Sequence, residues 1–324
     1  MAKAKSTESD FIHLVTTYGI TEAAKRIGVS KRQAISRRNR LERKIGRPID
    51  RADKTPQLVR RMVAAVPTPG AHRYMLECWD GLVFVGSDAH YWPNIVTTAH
   101  RAFVYMIGKL KPRAVIMNGD VFDGAGISRH ASIGWEQKPS VVQEIEACTE
   151  RLGEIEKAAK NAKLIWTLGN HDARFETRLA TVAPEYARVH GVHLKDHFPR
   201  WHNAWTCRIN GNVEVKHRWK GGEHATSNNT KMAGLSMITG HLHSLKVTPW
   251  TDYNGTRFGV DTGTLAGPSE YPQFVNYTEA GPTNWRSGFI VLTFKDGRLL
   301  WPEPVHVLDE ERGAVEFRGE VYAV

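Results

Sequence analysis

The chain has 324 residues, long for one domain and comfortable for two. With 41% hydrophobic residues and ten Trp it can build a real core, which excludes a disordered protein. Its net charge of +10 is unevenly placed: residues 1–70 hold 16 Lys and Arg against 6 Asp and Glu, and the remainder holds 28 of each. A basic module attached to a neutral body is the footprint of a nucleic-acid-binding appendage.

No apolar run approaches the roughly 18 residues that span a bilayer, and residues 1–10 are polar with no signal core. The expectation is a soluble, cytoplasmic protein without a membrane partner. Cys78, Cys148 and Cys207 are isolated and odd in number, which argues against a disulfide framework or a zinc ribbon.

Residues 11–46 read as three helices. Phe11, Ile12, Leu14 and Val15 form the first apolar face, and Gly19 closes that helix. Thr21 is placed to cap a second helix with Ala23, Ala24 and Ile27 inward. Gly28-Val29-Ser30 makes a tight turn, and Ser30 caps a third helix with Ile35, Leu41 and Ile45 inward. Lys31, Arg32, Arg37, Arg38, Arg40, Arg43 and Lys44 cover its remaining surface. A helix, a glycine turn and a basic helix is the helix-turn-helix arrangement, whose second helix enters the major groove.

The run Thr21-Glu22-Ala23-Ala24-Lys25-Arg26-Ile27-Gly28-Val29-Ser30, with Ser36-Arg37-Arg38 and Arg40-Leu41-Glu42, resembles the helix-turn-helix of LysR-type regulators. The resemblance implies DNA as a partner, although no effector-binding half of that family follows. Lys31, Arg32 and Gln33 at the helix start are the candidate base readers, and Arg37, Arg38 and Arg40 the candidate phosphate contacts. A solvated basic helix used for oligomer contacts is the alternative. Helix-turn-helix proteins often bind paired half-sites as dimers, which leaves a homodimer open. Residues 1–50 are the expected DNA-binding domain. Residues 51–72, with Pro56, Pro67, Pro69 and Gly70, read as a wing or linker, and residues 73–324 as the second domain.

In that second domain Tyr74-Met75-Leu76-Glu77 and Leu82-Val83-Phe84-Val85 flank Asp80-Gly81, a hairpin signal. The second of these strands runs into Gly86-Ser87-Asp88-Ala89-His90. A helix is expected over 96–110, then the β-branched strand Ala114-Val115-Ile116-Met117, which leads to Gly119-Asp120-Val121-Phe122-Asp123. A charged amphipathic helix is expected over 141–162. After it, Leu164-Ile165-Trp166-Thr167-Leu168 leads to Gly169-Asn170-His171-Asp172. Val213-Glu214-Val215-Lys216 leads to His217, and Met237-Ile238-Thr239 to Gly240-His241-Leu242-His243.

Five strand ends therefore carry ligand-type side chains: Asp88 and His90, Asp120 and Asp123, Asn170 and His171, His217, and His241 with His243. Singly, each has a plain reading as turn chemistry or a core histidine. Together, at the carboxyl ends of strands, they point to one site.

The set resembles the calcineurin-like metallophosphoesterase family, and the form Gly119-Asp120-Val121-Phe122-Asp123 is similar to that of recombination-repair nuclease subunits in that superfamily. The resemblance implies an α/β fold, a four-layer αββα sandwich behind the all-α helix-turn-helix domain, with further hairpins at Asn254-Gly255, Asp296-Gly297 and Arg318-Gly319 in the second sheet. It implies two divalent metal ions, Mn first with Fe or Zn as alternatives. Asp88, His90, Asp120 and His243 would hold one ion; Asp120, Asn170, His217 and His241 would hold the other. It implies that His171 protonates the leaving oxygen and that Asp123 orients its ring.

Where the family often has His before Gly, this chain has His217-Arg218-Trp219-Lys220 and then Gly221-Gly222-Glu223-His224, which makes His224 a rival ligand. Arg129, His130, Arg174 and Arg218 are candidate substrate contacts; Arg174 and Arg178 have pairing with Glu176 as an alternative. His190, His193, His197 and His202 are dense but irregularly spaced for a third metal site.

The leading functional expectation is a metal-dependent phosphodiesterase or nuclease that acts on DNA and is recruited by its own helix-turn-helix, an arrangement suggestive of a phage-encoded enzyme. The alternatives are a phosphomonoesterase, protein phosphatase or small-nucleotide phosphodiesterase, and a non-catalytic DNA-binding protein on a phosphoesterase scaffold.

Overall fold

The computed structural model describes residues 6–46, 49, 73–130, 135–267 and 283–324. The wing or linker expected over 51–72 lies outside the described residues. The chain divides into two compact units, Met1–Gly70 and Ala71–Val324.

The first unit contains α1 (Glu8–Tyr18), α2 (Ile20–Ile27) and α3 (Lys31–Ile45). Phe11, Val15, Ala23, Ala24, Ala34 and Leu41 form its core. Thr7 and Asp10 cap α1 reciprocally, and Ser30 and Gln33 do the same for α3. Two expectations are corrected. Thr21 does not cap α2, because the helix already starts at Ile20 after Gly19. On α3 the inward positions are Ala34 and Leu41, while Ile35 is half-buried and Ile45 is exposed.

The second unit begins with β1 (Arg73–Leu76), β2 (Gly81–Gly86), α4 (Thr98–Leu110), β3 (Ala114–Met117), α5 (Val141–Ala158), β4 (Lys163–Thr167) and α6 (Asp172–Val182). A short α7 (Leu194–His197) precedes β5 (His202–Ala204), β6 (Thr206–Ile209), β7 (Val213–Val215), α8 (Ala225–Ala233) and β8 (Ser236–Thr239). The chain ends through β9 (Lys246–Asp252), β10 (Gly255–Asp261), β11 (Gly288–Lys295), β12 (Arg298–Leu299), β13 (Glu303–Asp309), β14 (Ala314–Phe317) and β15 (Glu320–Ala323).

These strands form two mixed sheets. One has the order β1-β6-β7-β8-β10-β9; the other runs β15-β14-β13-β11-β2-β3-β4-β5, with β12 beside β11. Strand alternation divides their side chains between two cores. Val83, Val85, Ile116, Ile290 and Leu292 point to the space between the sheets, where they meet Ile209, Val215, Ile238 and Val260. Phe84, Val115, Met117, Phe289 and Val291 point the other way, onto α4 and α5. On α4 the buried Ala99, Ala102, Phe103, Met106 and Ile107 follow helical spacing. α8 packs on β8, β9 and β10, outside the other sheet. Helices thus cover both outer faces of a two-sheet sandwich.

The Asp80-Gly81 hairpin is corrected. β1 pairs in parallel with β6 in one sheet, whereas β2 pairs with β3 and β11 in the other. Residues 77–80 carry the chain from sheet to sheet, so this turn marks a crossing. Of the three later turns, Asp296-Gly297 and Arg318-Gly319 join neighbours in the larger sheet, while Asn254-Gly255 joins β9 to β10 in the smaller one. Among the described residues no helix is long and apolar enough to cross a membrane.

Candidate metal centre

The site follows from two sets of parallel neighbours. β2, β3 and β4 lie side by side and end together. Their ends deliver Asp88 and His90, then Asp120 and Asp123, then Asn170 and His171. In the facing sheet β7 and β8 are parallel neighbours, and they deliver His217, His241 and His243. The carboxyl edges of both sheets therefore meet over one cluster.

Asp88, His90, Asp120, His241 and His243 all have φ between 42° and 73°, in the left-handed region. Non-glycine residues rarely adopt that conformation, and it collects at functional sites. Two glycines permit the loops to close this tightly. A Cβ on Gly119, whose φ is 81°, would stand 2.5 Å from the His217 ring, and one on Gly169 would collide with the Asp120 carboxylate.

Ligand-type atoms of Asp88, His90 and His243 lie within 4.8 Å of one another, as do those of Asp120, His217 and His241. Asp88 Oδ1 is 3.0 Å from His243 Nε2, and Asp120 Oδ2 is 2.9 Å from His217 Nε2. The sets touch, because His217 Nε2 is also 3.9 Å from Asp88 Oδ1. Asn170 Oδ1 is a buried side-chain oxygen with no hydrogen-bond partner among the described residues. A buried amide oxygen left without a donor fits a metal ligand.

The charges fit as well. Burial pushes Asp88 up, but His243 and His217 outweigh it and hold the carboxyl at about 2. Burial likewise opposes ionisation of Asp120, yet His217, His171 and His90 keep it well below the ordinary carboxylate range. His217 responds in the opposite sense: despite burial, Asp120 and Asp88 push it up to about 10. The cluster therefore draws positive charge to itself, as buried carboxylates must. His217 Nδ1 lies 2.7 Å from the Asn118 carbonyl, so its N–H points there and Nε2 faces the cluster.

His171 stands beside this centre. Its Nδ1 is 2.8 Å from Asp123 Oδ1, its backbone N–H donates to Asp120 Oδ1, and its Nε2 is 3.1 Å from Arg174 Nη2. Asp123 Oδ1 also lies 2.7 Å from His90 Nδ1. Burial pulls the His171 pKa down, but the Asp123 hydrogen bond and the Asp120 charge leave it raised.

Sequence reasoning missed the residue that fixes the two central loops together. Asp172 accepts hydrogen bonds from the backbone N–H groups of Asp120, Val121, Phe122 and Gly169, and from Trp166 Nε1. Its signal was the fourth position of Gly169-Asn170-His171-Asp172. Glu144, on α5, was also missed; it accepts from Gly124 and Ala125 N–H.

A cavity of about 690 Å³ opens beside Asn170 and His217, and Arg129, His130, Arg174 and Arg218 line it. Glu176 is 3.2 Å from His193 Nδ1, so the pairing weighed for the arginines goes instead to histidine. His224 is exposed and outside the ligand-type groups. His190, His193, His197 and His202 form no such group among the described residues. In the first unit, Gln33 is engaged with Ser30, and Arg37 donates to Ser6 and Thr7 while stacking over Phe11 at 4.6 Å. Arg38 lies 3.6 Å from Glu42, whereas Lys31, Arg32 and Arg40 are exposed.

No family model matches the chain, and no curated protein matches it. Among solved structures it is similar to wild-type Vps29 complexed with zinc from Entamoeba histolytica, at 15% identity and a TM-score of 0.39, covering 74% of this chain and 98% of that one. It is similar to YfcE, a phosphoesterase from E. coli, at 14% identity and a TM-score of 0.32, covering 68% and 97%. A dimetal phosphatase from Danio rerio matches at 10% identity and a TM-score of 0.33, covering 69% and 94%.

Proposed function

We propose that the protein is a dinuclear metal-dependent phosphoesterase that hydrolyses phosphodiester bonds of DNA. The observation that carries this is the convergence of two Asp/His sets, one through Asp88, His90 and His243 and the other through Asp120, His217 and His241. Asp88, His90, Asp120 and His243 would hold one ion, and Asp120, Asn170, His217 and His241 would hold the other. Divalent ions bound there neutralise the charge of a phosphoester and lower the pKa of attacking water. A donor set of nitrogen and oxygen without sulfur suits manganese first, with iron or zinc as alternatives.

The chain's own groups complete the chemistry. Asp123 holds His171 so that Nε2 faces the reacting bond and can protonate the leaving oxygen. Arginine only donates, so at rest the contact with Arg174 makes His171 Nε2 an acceptor. A bound phosphoryl group draws Arg174 away and frees that nitrogen to take up a proton.

DNA as substrate is supported by the separate basic unit, residues 1–50, read as a helix-turn-helix. Lys31, Arg32 and Arg40 make no ion pair among the described residues and are the cations available to DNA. Manganese-supplemented hydrolysis of bis(p-nitrophenyl) phosphate in preference to p-nitrophenyl phosphate is the expected result. The opposite preference sinks the phosphodiesterase reading.

A further inference from the structure

The cavity beside the centre is walled on one side by α6, whose residues Ala173, Arg174, Thr177, Arg178 and Thr181 follow one helical face into it. Trp205, Lys216, Arg218 and Arg129 also line it. Among the described residues no carboxylate lines the cavity. Arg129, Arg178 and Arg218 are exposed and Lys216 is half-buried, and none of the four forms an ion pair with a carboxylate among the described residues, which leaves their charges available to an anionic ligand. Trp205, in the connection between β5 and β6, is 40% exposed.

We infer that this cavity is the path of a single-stranded nucleic acid, with Trp205 as a platform for one base and the surrounding cations on successive phosphates. The inference rests on the phosphodiesterase reading and names the form of its substrate. A phosphomonoester presents one dianion and has no use for cations spread along a helix. Arg174 and Arg178 are separated by about 6 Å along α6, a spacing that serves an extended polyanion. A duplex keeps its base faces stacked and offers none to an indole. A flexible strand offers both its phosphates and a free base, the combination that single-strand channels use.

The test uses the full chain in EDTA, with fluorescein-labelled ten-nucleotide probes read by anisotropy. The probes are oligo-dT, oligo-U, an abasic strand and a duplex. Wild type should bind oligo-dT, oligo-U or both about 10-fold tighter than the abasic strand, the usual worth of one stacked base, and the preferred sugar identifies the natural strand. Trp205→Ala should erase that gap and Trp205→Phe should restore most of it. Arg178→Ala should weaken basic and abasic strands alike and reduce the salt slope by about 0.7.

An abasic strand bound as tightly as oligo-dT and oligo-U by wild type overturns the inference. So does a gap that survives Trp205→Ala, which assigns it to the N-terminal unit, or a Trp205→Ala variant that loses as much affinity for the duplex as for the base-bearing strands. Hydrolysis of bis(p-nitrophenyl) phosphate without the base-dependent gap removes the strand path and leaves the phosphodiesterase. The gap without diester hydrolysis removes the phosphodiesterase.

Discussion

Asp123 Oδ1 lies 2.8 Å from His171 Nδ1, and the same oxygen lies 2.7 Å from His90 Nδ1. One carboxylate oxygen thus fixes the ring proposed as the acid and a ring proposed as a metal ligand. Its carboxyl is itself kept well below the ordinary range: burial opposes this, but the two imidazoles outweigh it. A group that only steers His171 would leave metal binding untouched; this one also fixes the ring of a proposed ligand.

Asp120→Asn and Asp123→Asn should therefore differ in kind. Asp123→Asn should weaken metal binding about 10–100-fold, the usual effect of losing a ligand's supporting hydrogen bond. Saturating manganese should refill the site while kcat stays low, since His171 has lost its orienting partner. Asp120→Asn removes the carboxylate proposed to serve both ions, and no manganese concentration should restore two ions per chain. Metal content and kcat across a manganese titration separate the cases, and equal, irrecoverable loss in both variants refutes the division.

His171→Ala should keep both ions and lose about 10²- to 10⁴-fold in kcat on a diester with a poor leaving group. On bis(p-nitrophenyl) phosphate, whose leaving group needs little protonation, the loss should be much smaller. A loss independent of the leaving group would assign His171 to binding instead of proton transfer.

The placement of these Asp and His side chains at strand ends was legible because it is local. A strand, a turn and a polar side chain occupy five to ten consecutive residues, and burial of the strand leaves the turn at the sheet's edge. Strand partners were not legible. β1 chooses β6, across more than a hundred residues, and nothing within Asp80-Gly81 distinguishes a hairpin from a crossing between sheets. Asp172 was hidden for a similar reason. Its donors come from the loop after β3 and from β4 and its turn, so its role appears only when those segments are adjacent. Arg178 and Trp205 become one wall only after α6 and the β5–β6 connection meet around the cavity.

Asp172→Ala strands four backbone donors and one indole N–H in a buried site. Each unmet buried donor costs about 1–3 kcal/mol, so the metal-free variant should lose about 3 kcal/mol or more in a urea melt. Asp172→Asn keeps one acceptor oxygen and should fall between. A variant as stable as wild type would mean that other groups or water satisfy those donors.

Glu144 makes a pH-dependent contribution of known sign. Burial and the nearby Asp123 push it up to about 7, although the Gly124 and Ala125 N–H groups pull the other way. An unfolded glutamate titrates near 4.5. The folded state therefore holds the proton more tightly, so this contribution is complete below about 4.5 and is lost as pH rises through about 7. Glu144→Gln removes the titration. The stability advantage of metal-free wild type over the variant should shrink between pH 4.5 and 7, as read by Tm; an advantage that grows would show a carboxylate stabilised as the anion.

The N-terminal unit separates cations that hold its fold from cations free to meet DNA. Arg37 reaches back to Ser6 and Thr7 and covers Phe11, so Arg37→Ala should lower the stability of the three-helix unit. Arg32 is exposed at the start of α3, the end that reads base edges in a helix-turn-helix. Arg32→Ala should leave the helical circular-dichroism signal intact and weaken duplex binding. If Arg32 meets a phosphate, the salt slope should fall by about 0.9 with no change in sequence preference. If it meets a base, the slope should hold while discrimination at one position drops by about 1–3 kcal/mol. Unchanged affinity on every duplex tried would remove α3 from the DNA interface and leave its charge as a solvated surface.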